Sequence, residues 1–125
     1  MRIKRMSAVL AGAGMLTAAT VALGAGAADA STISTGYVQL CAQGGYVSFI
    51  EFPDRGGLQS TLVSPGQCWY EYLGTLDEEV PIEVFGSIDG TAVYLGEAWY
   101  NASVSGIGIG TEGAGIYDAP YFITW

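Results

Sequence analysis

The chain has no histidine and few basic residues: four Lys and Arg stand against twelve Asp and Glu among 125 residues, a net charge of −8. From residue 31 onward Arg55 is the only base against eleven acids, a net charge of −10, and Lys and Met are absent. Nucleic acid is excluded as a partner because phosphate binding requires a basic patch. Without His or Lys, serine and cysteine hydrolases lose their usual base. We expect a non-enzyme with no catalytic residue, no metal and no cofactor.

The first 30 residues have the pattern of a secretory signal. Three basic residues within positions 1–5 precede an uncharged stretch at residues 6–28, and the Ala-Asp-Ala sequence ending at Ala30 carries the small residues that signal peptidase reads. The stretch is long enough to span a bilayer, but no basic stop-transfer cluster follows it. We predict cleavage after Ala30, secretion, and one mature domain at residues 31–125 without membrane attachment.

The only two cysteines are Cys41 and Cys68. In an oxidising compartment they are expected to form one disulfide. The chain-entropy model gives such a bridge about 3–4 kcal/mol of stability. A structural zinc site would need about four ligands, and a redox pair would need a C-x-x-C spacing that the chain lacks. The pair therefore predicts a stabilising bridge.

Short β-branched and aromatic segments alternate with turn signals every eight to twelve residues or so from residue 31 onward. No stretch is typical of a helix. We predict strands at residues 37–42, 46–52, 58–63, 67–73, 80–86, 91–100, 104–109 and 121–125. Seven or eight short strands with one disulfide predict an all-β fold, an Ig-like or jelly-roll β-sandwich.

Residues 108–113 match the pattern G-x-G-x-x-G. A dinucleotide fingerprint must open a helix inside a βαβ unit, and too little chain follows for one. Glycines at 106, 108 and 110 instead alternate with two isoleucines, which predicts a strand with one bare face. Either an aromatic ring of the same domain or a segment of a partner is expected to cover that face.

Asp77, Glu78 and Glu79 form a contiguous acidic segment after Gly74. We interpret it as a solvated loop. Calcium binding is an alternative, although the segment lacks the acid spacing of an EF-hand. A hydrolase that uses two of these carboxylates is a further alternative.

Aromatic and acidic residues alternate along several predicted strands. Residues two apart in a strand share a face, which pairs Phe49 with Glu51, Glu83 with Phe85, and Glu97 with Trp99. We expect Cys68 to point inward because its bridge must reach Cys41, which puts Tyr70 and Tyr72 on the same inner face. Trp69 and Glu71 would then point outward. Because carboxylates are seldom buried unpaired, several aromatics are expected to share solvent-facing positions with acids.

Three interpretations of these faces remain open. The acids could guard strand ends against aggregation while the aromatics pack under loops. Trp rings beside carboxylates could bind sugars. Alternatively, they could form a protein interface, with aromatic hot spots and an acidic rim that attracts a basic partner. The candidate binding residues are Trp69, Glu71, Glu97, Trp99, Phe49 and Phe85.

The apolar pattern at residues 121–125 continues to the last residue, Trp125. We predict that this segment is the final core strand. The alternative is an arm docked into another chain.

The export signal, the single disulfide, the Gly- and Tyr-rich strands and the turn at residues 64–68 resemble small secreted β-proteins of actinobacteria. The tendamistat-type α-amylase inhibitors are similar in size and in an aromatic cluster that Trp69 and Tyr70 would match, but this chain has one bridge instead of two and Glu71 beside the pair. The small adapter subunits of umbrella toxin particles are similar in being exported and β-rich. These resemblances imply an inhibitor or a subunit of an extracellular assembly such as a toxin complex.

The net charge of −10 favours a protein ligand, since it would steer in a basic partner. We therefore predict a secreted, non-enzymatic module that binds a basic extracellular protein as an adapter, subunit or inhibitor. The alternative is a carbohydrate-binding module that contacts polysaccharide through exposed Trp and Tyr, chiefly Trp69 and Trp99.

Overall fold

The computed structural model describes residues 31–114 and 118–125, so the predicted secretory signal lies outside the described residues. Eight strands make up most of this part of the chain, with one 3₁₀ turn at Pro53–Arg55. The strands are β1 (Tyr37–Ala42), β2 (Val47–Phe52), β3 (Leu58–Gln59), β4 (Cys68–Tyr72), β5 (Glu79–Ile88), β6 (Thr91–Asn101), β7 (Ile107–Glu112) and β8 (Tyr121–Thr124). Within the described residues, no helix is long and apolar enough to cross a membrane.

The strands form two four-stranded sheets, which confirms the predicted β-sandwich. The first sheet has the order β4-β1-β7-β8 and the second the order β3-β2-β5-β6. Only β1 and β7 pair in parallel, and all other neighbouring strands are antiparallel. The edge strands are therefore β4 and β8 in the first sheet and β3 and β6 in the second.

The core is built from alternate residues of the inner strands, as period-two patterning requires. Its members are largely β-branched or aromatic, and they include Val38, Leu40, Ile50, Phe52, Val80, Ile82, Val84, Ile107 and Ile109. Burying each such side chain contributes roughly 1.5–3 kcal/mol. One polar pair lies among them: the hydroxyls of Ser48 and Thr111 hydrogen-bond at 2.5 Å between β2 and β7. This bond satisfies both buried groups and links the two sheets.

The third strand is shorter than the predicted 58–63, since β3 ends at Gln59. The buried Ser60 hydroxyl accepts the Ile50 N–H at 3.0 Å and donates to the next carbonyl, so a side chain takes the place of a ladder bond. Regular pairing returns only at Val63, which exchanges two hydrogen bonds with Ser48.

The seventh strand is displaced along the chain from the predicted 104–109 to Ile107–Glu112. The N–H groups of Val104 and Ser105 both donate to the Asn101 carbonyl, at 3.0 and 3.2 Å. These bonds make a turn directly after β6 and delay the next strand.

The predicted disulfide between Cys41 and Cys68 is confirmed. The two residues lie directly opposite each other on β1 and β4, with their Cα atoms 4.1 Å apart. Val38 and Leu40 of β1 are fully buried, so Cys41 points to the other side of the sheet. The bridge therefore joins neighbouring strands on the outer face of the first sheet and does not cross the core.

The predicted facing of β4 is consequently wrong. Trp69 is paired with Leu40 and packs, partly buried, against the core. Tyr70 and Tyr72 point outward and are 49% and 53% exposed. The prediction assumed a bridge through the core, whereas a bridge between neighbours on the outer face reverses the orientation of every residue in β4.

The face of β7 that carries Gly108 and Gly110 is covered by an aromatic ring of the same domain. This is the first of the two predicted alternatives, the other being a segment of a partner. A Cβ at Gly108 would clash with the Trp125 indole, and one at Gly110 would clash with the Gln43 amide and lie in tight contact with the same indole. Gly108 and Trp125 exchange backbone hydrogen bonds at 2.8 and 3.0 Å. β8 (Tyr121–Thr124) pairs with β7 just before this point, so the predicted final strand belongs to this domain. It is an exposed edge strand rather than the predicted core strand, and of its residues only Phe122 packs against the core.

Candidate functional site

The outer face of the second sheet carries two parallel rows of side chains. An aromatic row crosses β2, β5 and β6, and an acidic row crosses the same three strands beside it, one outward-facing position away. We call this surface the acidic face; it consists of Phe49, Glu51, Glu83, Phe85, Tyr94, Glu97 and Trp99. It brings together four of the predicted binding residues from three strands: Phe49, Phe85, Glu97 and Trp99.

The acidic row consists of three carboxylates at matched positions. Glu51 lies opposite Glu83, and Glu83 lies opposite Glu97. Like charges directly opposite each other destabilise a sheet by roughly 0.2–1 kcal/mol per pair. The arrangement therefore costs stability in the isolated protein.

No base is available within the domain to offset this row. Arg55 is the only base among residues 31–125, and its guanidinium is engaged elsewhere. Its Nη2 lies 3.7 Å from Glu78 Oε2, and its Nη1 donates to the Leu73 carbonyl at 3.4 Å. The Gln59 amide reaches Glu51 Oε2 at 3.4 Å, a weak neutral contact. The acidic row therefore has no basic side chain of residues 31–125 to pair with.

The aromatic row is held by ring contacts across three strands. The Phe49 and Phe85 rings stack at 4.9 Å between centroids, and the Tyr94 ring tilts against Phe85 at 5.5 Å. Tyr94 is 55% exposed. Partial desolvation, together with the carboxylates of Glu83 and Glu97, raises the pKa of the Tyr94 phenol above its ordinary value. The two rows are therefore close enough to interact electrostatically.

Trp99 extends the face beyond the acidic row on β6. It is 54% exposed, and its indole Nε1–H donates to Glu97 Oε1 at 2.9 Å. This bond fixes a large aromatic surface beside a carboxylate. An apolar ring held next to an anion suits the aliphatic stem and charged head of an Arg or Lys side chain.

Sequence reasoning missed Tyr94 because of a β-bulge. Simple alternation back from Trp99 and Glu97 would place Leu95 outward, but the pairing of β5 and β6 shifts between Val84 and Phe85. Leu95 instead packs against the core, and Tyr94 moves to the outer face. The available signal was Gly96, since an isolated glycine within a strand often marks a bulge; its φ of +141° is a conformation that favours glycine.

Trp69 and Glu71 do not belong to the acidic face. They lie on β4, an edge strand of the first sheet, opposite Leu40 and Val38 respectively. Trp69 is partly buried against the core, whereas Glu71 is exposed at the sheet edge. Trp69 and Trp99 are therefore on different sheets, so the structure does not bring together the two residues from which the sugar site was predicted.

The outer face of the first sheet is chemically different. The Tyr37 and Tyr70 rings stack at 4.8 Å, and Tyr72 tilts against Tyr37 at 5.1 Å. We call this group of three residues the tyrosine face. Cys68 of the disulfide lies two residues before Tyr70 on β4, and the Gln39 side chain and the Trp125 indole complete an uncharged surface.

The acidic segment at Asp77, Glu78 and Glu79 has structural contacts of its own. Asp77 Oδ1 accepts hydrogen bonds from the Asn101 amide at 2.8 Å and the Ser103 hydroxyl at 3.2 Å. Glu78 pairs with Arg55. Across residues 31–114 and 118–125, no group of three Asp, Glu, Cys or His residues is placed to hold a metal ion. These contacts favour a loop tethered to the end of β6.

Comparison of the chain with protein-family models, with curated proteins and with solved structures found no significant match.

Proposed function

We propose that this chain is a secreted, non-enzymatic module that binds a basic region of another protein through its acidic face. The observation that carries the proposal is the uncompensated row of Glu51, Glu83 and Glu97 across three adjacent strands. A basic partner would convert a mutual repulsion into three attractive contacts. Stability lost in the free protein would be regained on binding.

The aromatic residues supply the apolar part of such an interface. Tyr94 and Trp99 are each more than half exposed, and Tyr and Trp are enriched among the residues that dominate binding free energy. Charge on the acidic row would accelerate association and set its salt dependence. Contact area and charge therefore lie on one surface.

An extracellular partner is favoured by the disulfide. A bridge between Cys41 and Cys68 suits an oxidising compartment, in agreement with the predicted secretory signal. An inhibitor and a subunit or adapter of an extracellular assembly, including a toxin complex, both act by such contact.

The test is affinity capture from culture supernatant at low and moderate salt, with the wild-type protein and the triple variant Glu51→Gln/Glu83→Gln/Glu97→Gln as baits. We expect the wild type to retain a specific basic protein at low salt and to release most of it at moderate salt. The triple variant should retain at least about tenfold less, since close charge pairs are worth about 1.5 kcal/mol or more.

A matched control separates the acidic face from net charge. The variant Glu71→Gln/Glu112→Gln/Asp118→Asn removes the same number of charges elsewhere and should capture the partner like the wild type. Equal loss in both triple variants would show a non-specific charge effect and would contradict the proposal.

Polysaccharide binding is a second candidate, and the tyrosine face favours it. Its three rings are uncharged, and two of them are about half exposed. Retention on insoluble cell-wall or plant polysaccharide that Tyr70→Ala/Tyr72→Ala removes, and that the acidic-face triple variant keeps, would support this candidate over the first.

A further inference from the structure

Strand β6 is the long open edge of the second sheet. It spans eleven residues, Thr91–Asn101, whereas β3 at the opposite edge has only two. Edge strands are usually protected by short length, Pro, charged side chains, bulges or a covering segment. β6 has a bulge at Gly96 and a single charged residue, Glu97. In the part of the chain that the structure describes, no strand pairs with its outer side.

Hydrogen bonds on β2 fix the direction of each backbone group in this sheet. The N–H of Ser48 and the carbonyl of Ile50 bond toward the β3 side, to Val63 and Ser60 respectively. Since successive residues of a strand direct these groups to opposite sides, those of Phe49 and Glu51 point to β5.

The same alternation carries across β5 to β6. Glu83 bonds back toward β2, so its neighbours Ile82 and Val84 bond toward β6. Their partners on β6 are Ala98 and Gly96. Glu97 lies between Gly96 and Ala98, and Trp99 follows Ala98. Their N–H and C=O groups therefore point to the free edge.

Two neighbouring residues agree with this assignment. Pro81, which has no N–H to donate, lies opposite Trp99, where a strand bond is not required. The Asn101 carbonyl, two residues beyond Trp99, accepts bonds from its own turn at Val104 and Ser105. Glu97 and Trp99 thus offer unpaired backbone groups at the edge and their side chains on the acidic face.

We propose that the partner binds by adding an extended strand to β6, with Lys or Arg at every second position. This inference rests on the proposed function and specifies its binding mode. A strand in this position would take the free backbone bonds of Glu97 and Trp99. Its alternate side chains would point to the same side as Glu97, Trp99 and Tyr94. Basic side chains on that side would contact the carboxylates and aromatic rings of the acidic face. The intervening side chains would point to the inner side of the second sheet.

The test uses synthetic peptides and the wild-type mature protein, with Trp fluorescence and NMR as readouts. A peptide that alternates Lys with Thr should bind at least about tenfold more tightly than a peptide with the same residues in two blocks, a difference of about 1.4 kcal/mol. Amide exchange at Glu97 and Trp99 should slow when the alternating peptide is bound.

Backbone methylation of the peptide tests the strand ladder itself. In one peptide series the backbone nitrogen of every Lys is methylated, which blocks one hydrogen-bonding edge of the peptide. In the other series the backbone nitrogen of every Thr is methylated, which blocks the opposite edge. Strand addition predicts that only one series abolishes binding: the Lys series for antiparallel addition, because paired residues then share a face, or the Thr series for parallel addition.

The possible failures are distinguishable. Equal binding of both methylated series, or of the blocked-order peptide, would overturn strand addition while leaving the acidic face as a charge-driven site. Absence of binding by every Lys-containing peptide would overturn the proposed function as well.

A pair of protein variants provides an independent check. Trp99→Ala and Trp99→Pro both remove the indole, but only the proline also removes the edge N–H, which the fold itself does not use. Provided that the melting temperatures of the two variants agree, Trp99→Pro should bind the alternating peptide at least about fivefold more weakly than Trp99→Ala, a net hydrogen bond of about 1 kcal/mol. Equal affinities of the two folded variants would contradict the ladder.

Discussion

The two outer faces of the sandwich use aromatic residues in opposite ways. On the first sheet, the tyrosine face is uncharged and lies beside a disulfide and a Trp125 ring seated on glycines. On the second sheet, the acidic face places three carboxylates in a row, and no base among residues 31–125 offsets them. The first surface is assembled from contacts that stabilise the domain. The second lowers the stability of the free protein through like-charge pairs, as expected of a surface whose favourable contacts come from a partner.

The largest expected effect is on the first sheet, where the bridge lies. Replacing Cys41 and Cys68 by Ser should lower the free energy of unfolding by about 3 kcal/mol, because the unfolded chain regains its freedom. Urea denaturation measures this change. The acidic-face triple variant is the comparison, and it should not lose stability. If the serine variant loses less than about 1 kcal/mol, the bridge contributes little to stability and does not account for the difference between the two faces.

The next effect concerns the seat of the Trp125 ring. Gly108→Ala should cost about 2 kcal/mol, since its Cβ would clash with the indole. Gly45→Ala is the matched control, because its Cβ would meet Ala114 at an ordinary distance of 3.5 Å; it should change stability by less than about 0.5 kcal/mol. Equal unfolding free energies for the two variants would show that Trp125 is not seated on Gly108.

A smaller effect of opposite sign is expected on the acidic face. Glu83 lies between Glu51 and Glu97, so Glu83→Gln should stabilise the protein by about 0.5 kcal/mol at low salt. The gain should shrink at 1 M salt, where screening acts within about 3 Å. Glu71→Gln, which has no opposing carboxylate across its strand pair, should show no such gain. If Glu83→Gln is less stable than the wild type, favourable contacts of Glu83 within the free protein outweigh its repulsion from Glu51 and Glu97.

The smallest effect is a change in the titration of Tyr94. Desolvation and the carboxylates of Glu83 and Glu97 raise the pKa of this phenol, so the folded protein holds the proton more tightly than the unfolded chain. Its contribution to stability is complete below the unfolded pKa and is lost as pH rises through the folded value. In Glu83→Gln/Glu97→Gln the pKa should fall, yet stay above its ordinary value because desolvation remains. NMR titration measures it, and an unchanged pKa would show that the rows do not interact.

Strand positions were predictable because they depend on local pattern. Alternation and turn residues place β1 at its predicted bounds and most other strands within a few residues. The exceptions have specific causes: the Ser60 hydroxyl ends β3 early, and the turn at Asn101 delays β7. Neither the Ser60 side-chain bond nor the backbone bonds of the turn at Asn101 are visible in a pattern of apolar and polar residues.

The candidate site was only partly predictable because it depends on register. Alternation puts Glu97 and Trp99 on one face, but no local signal aligns Glu51, Glu83 and Glu97 across three strands. The predicted orientation of Trp69 was wrong because a disulfide can join neighbouring strands of one sheet as well as cross a core. Tyr94 was missed because one extra residue at the bulge exchanges the two faces of β6.

The most direct test of the proposed function is carboxyl footprinting of the complex with the captured partner. Carbodiimide labelling, read by mass spectrometry, compares Glu51, Glu83 and Glu97 with and without the partner, and Glu71 and Glu112 serve as internal references. We expect strong protection of the three acidic-face residues and unchanged labelling of the two references. Protection of the references with full labelling of Glu83 would place the partner on the first sheet and contradict the proposal.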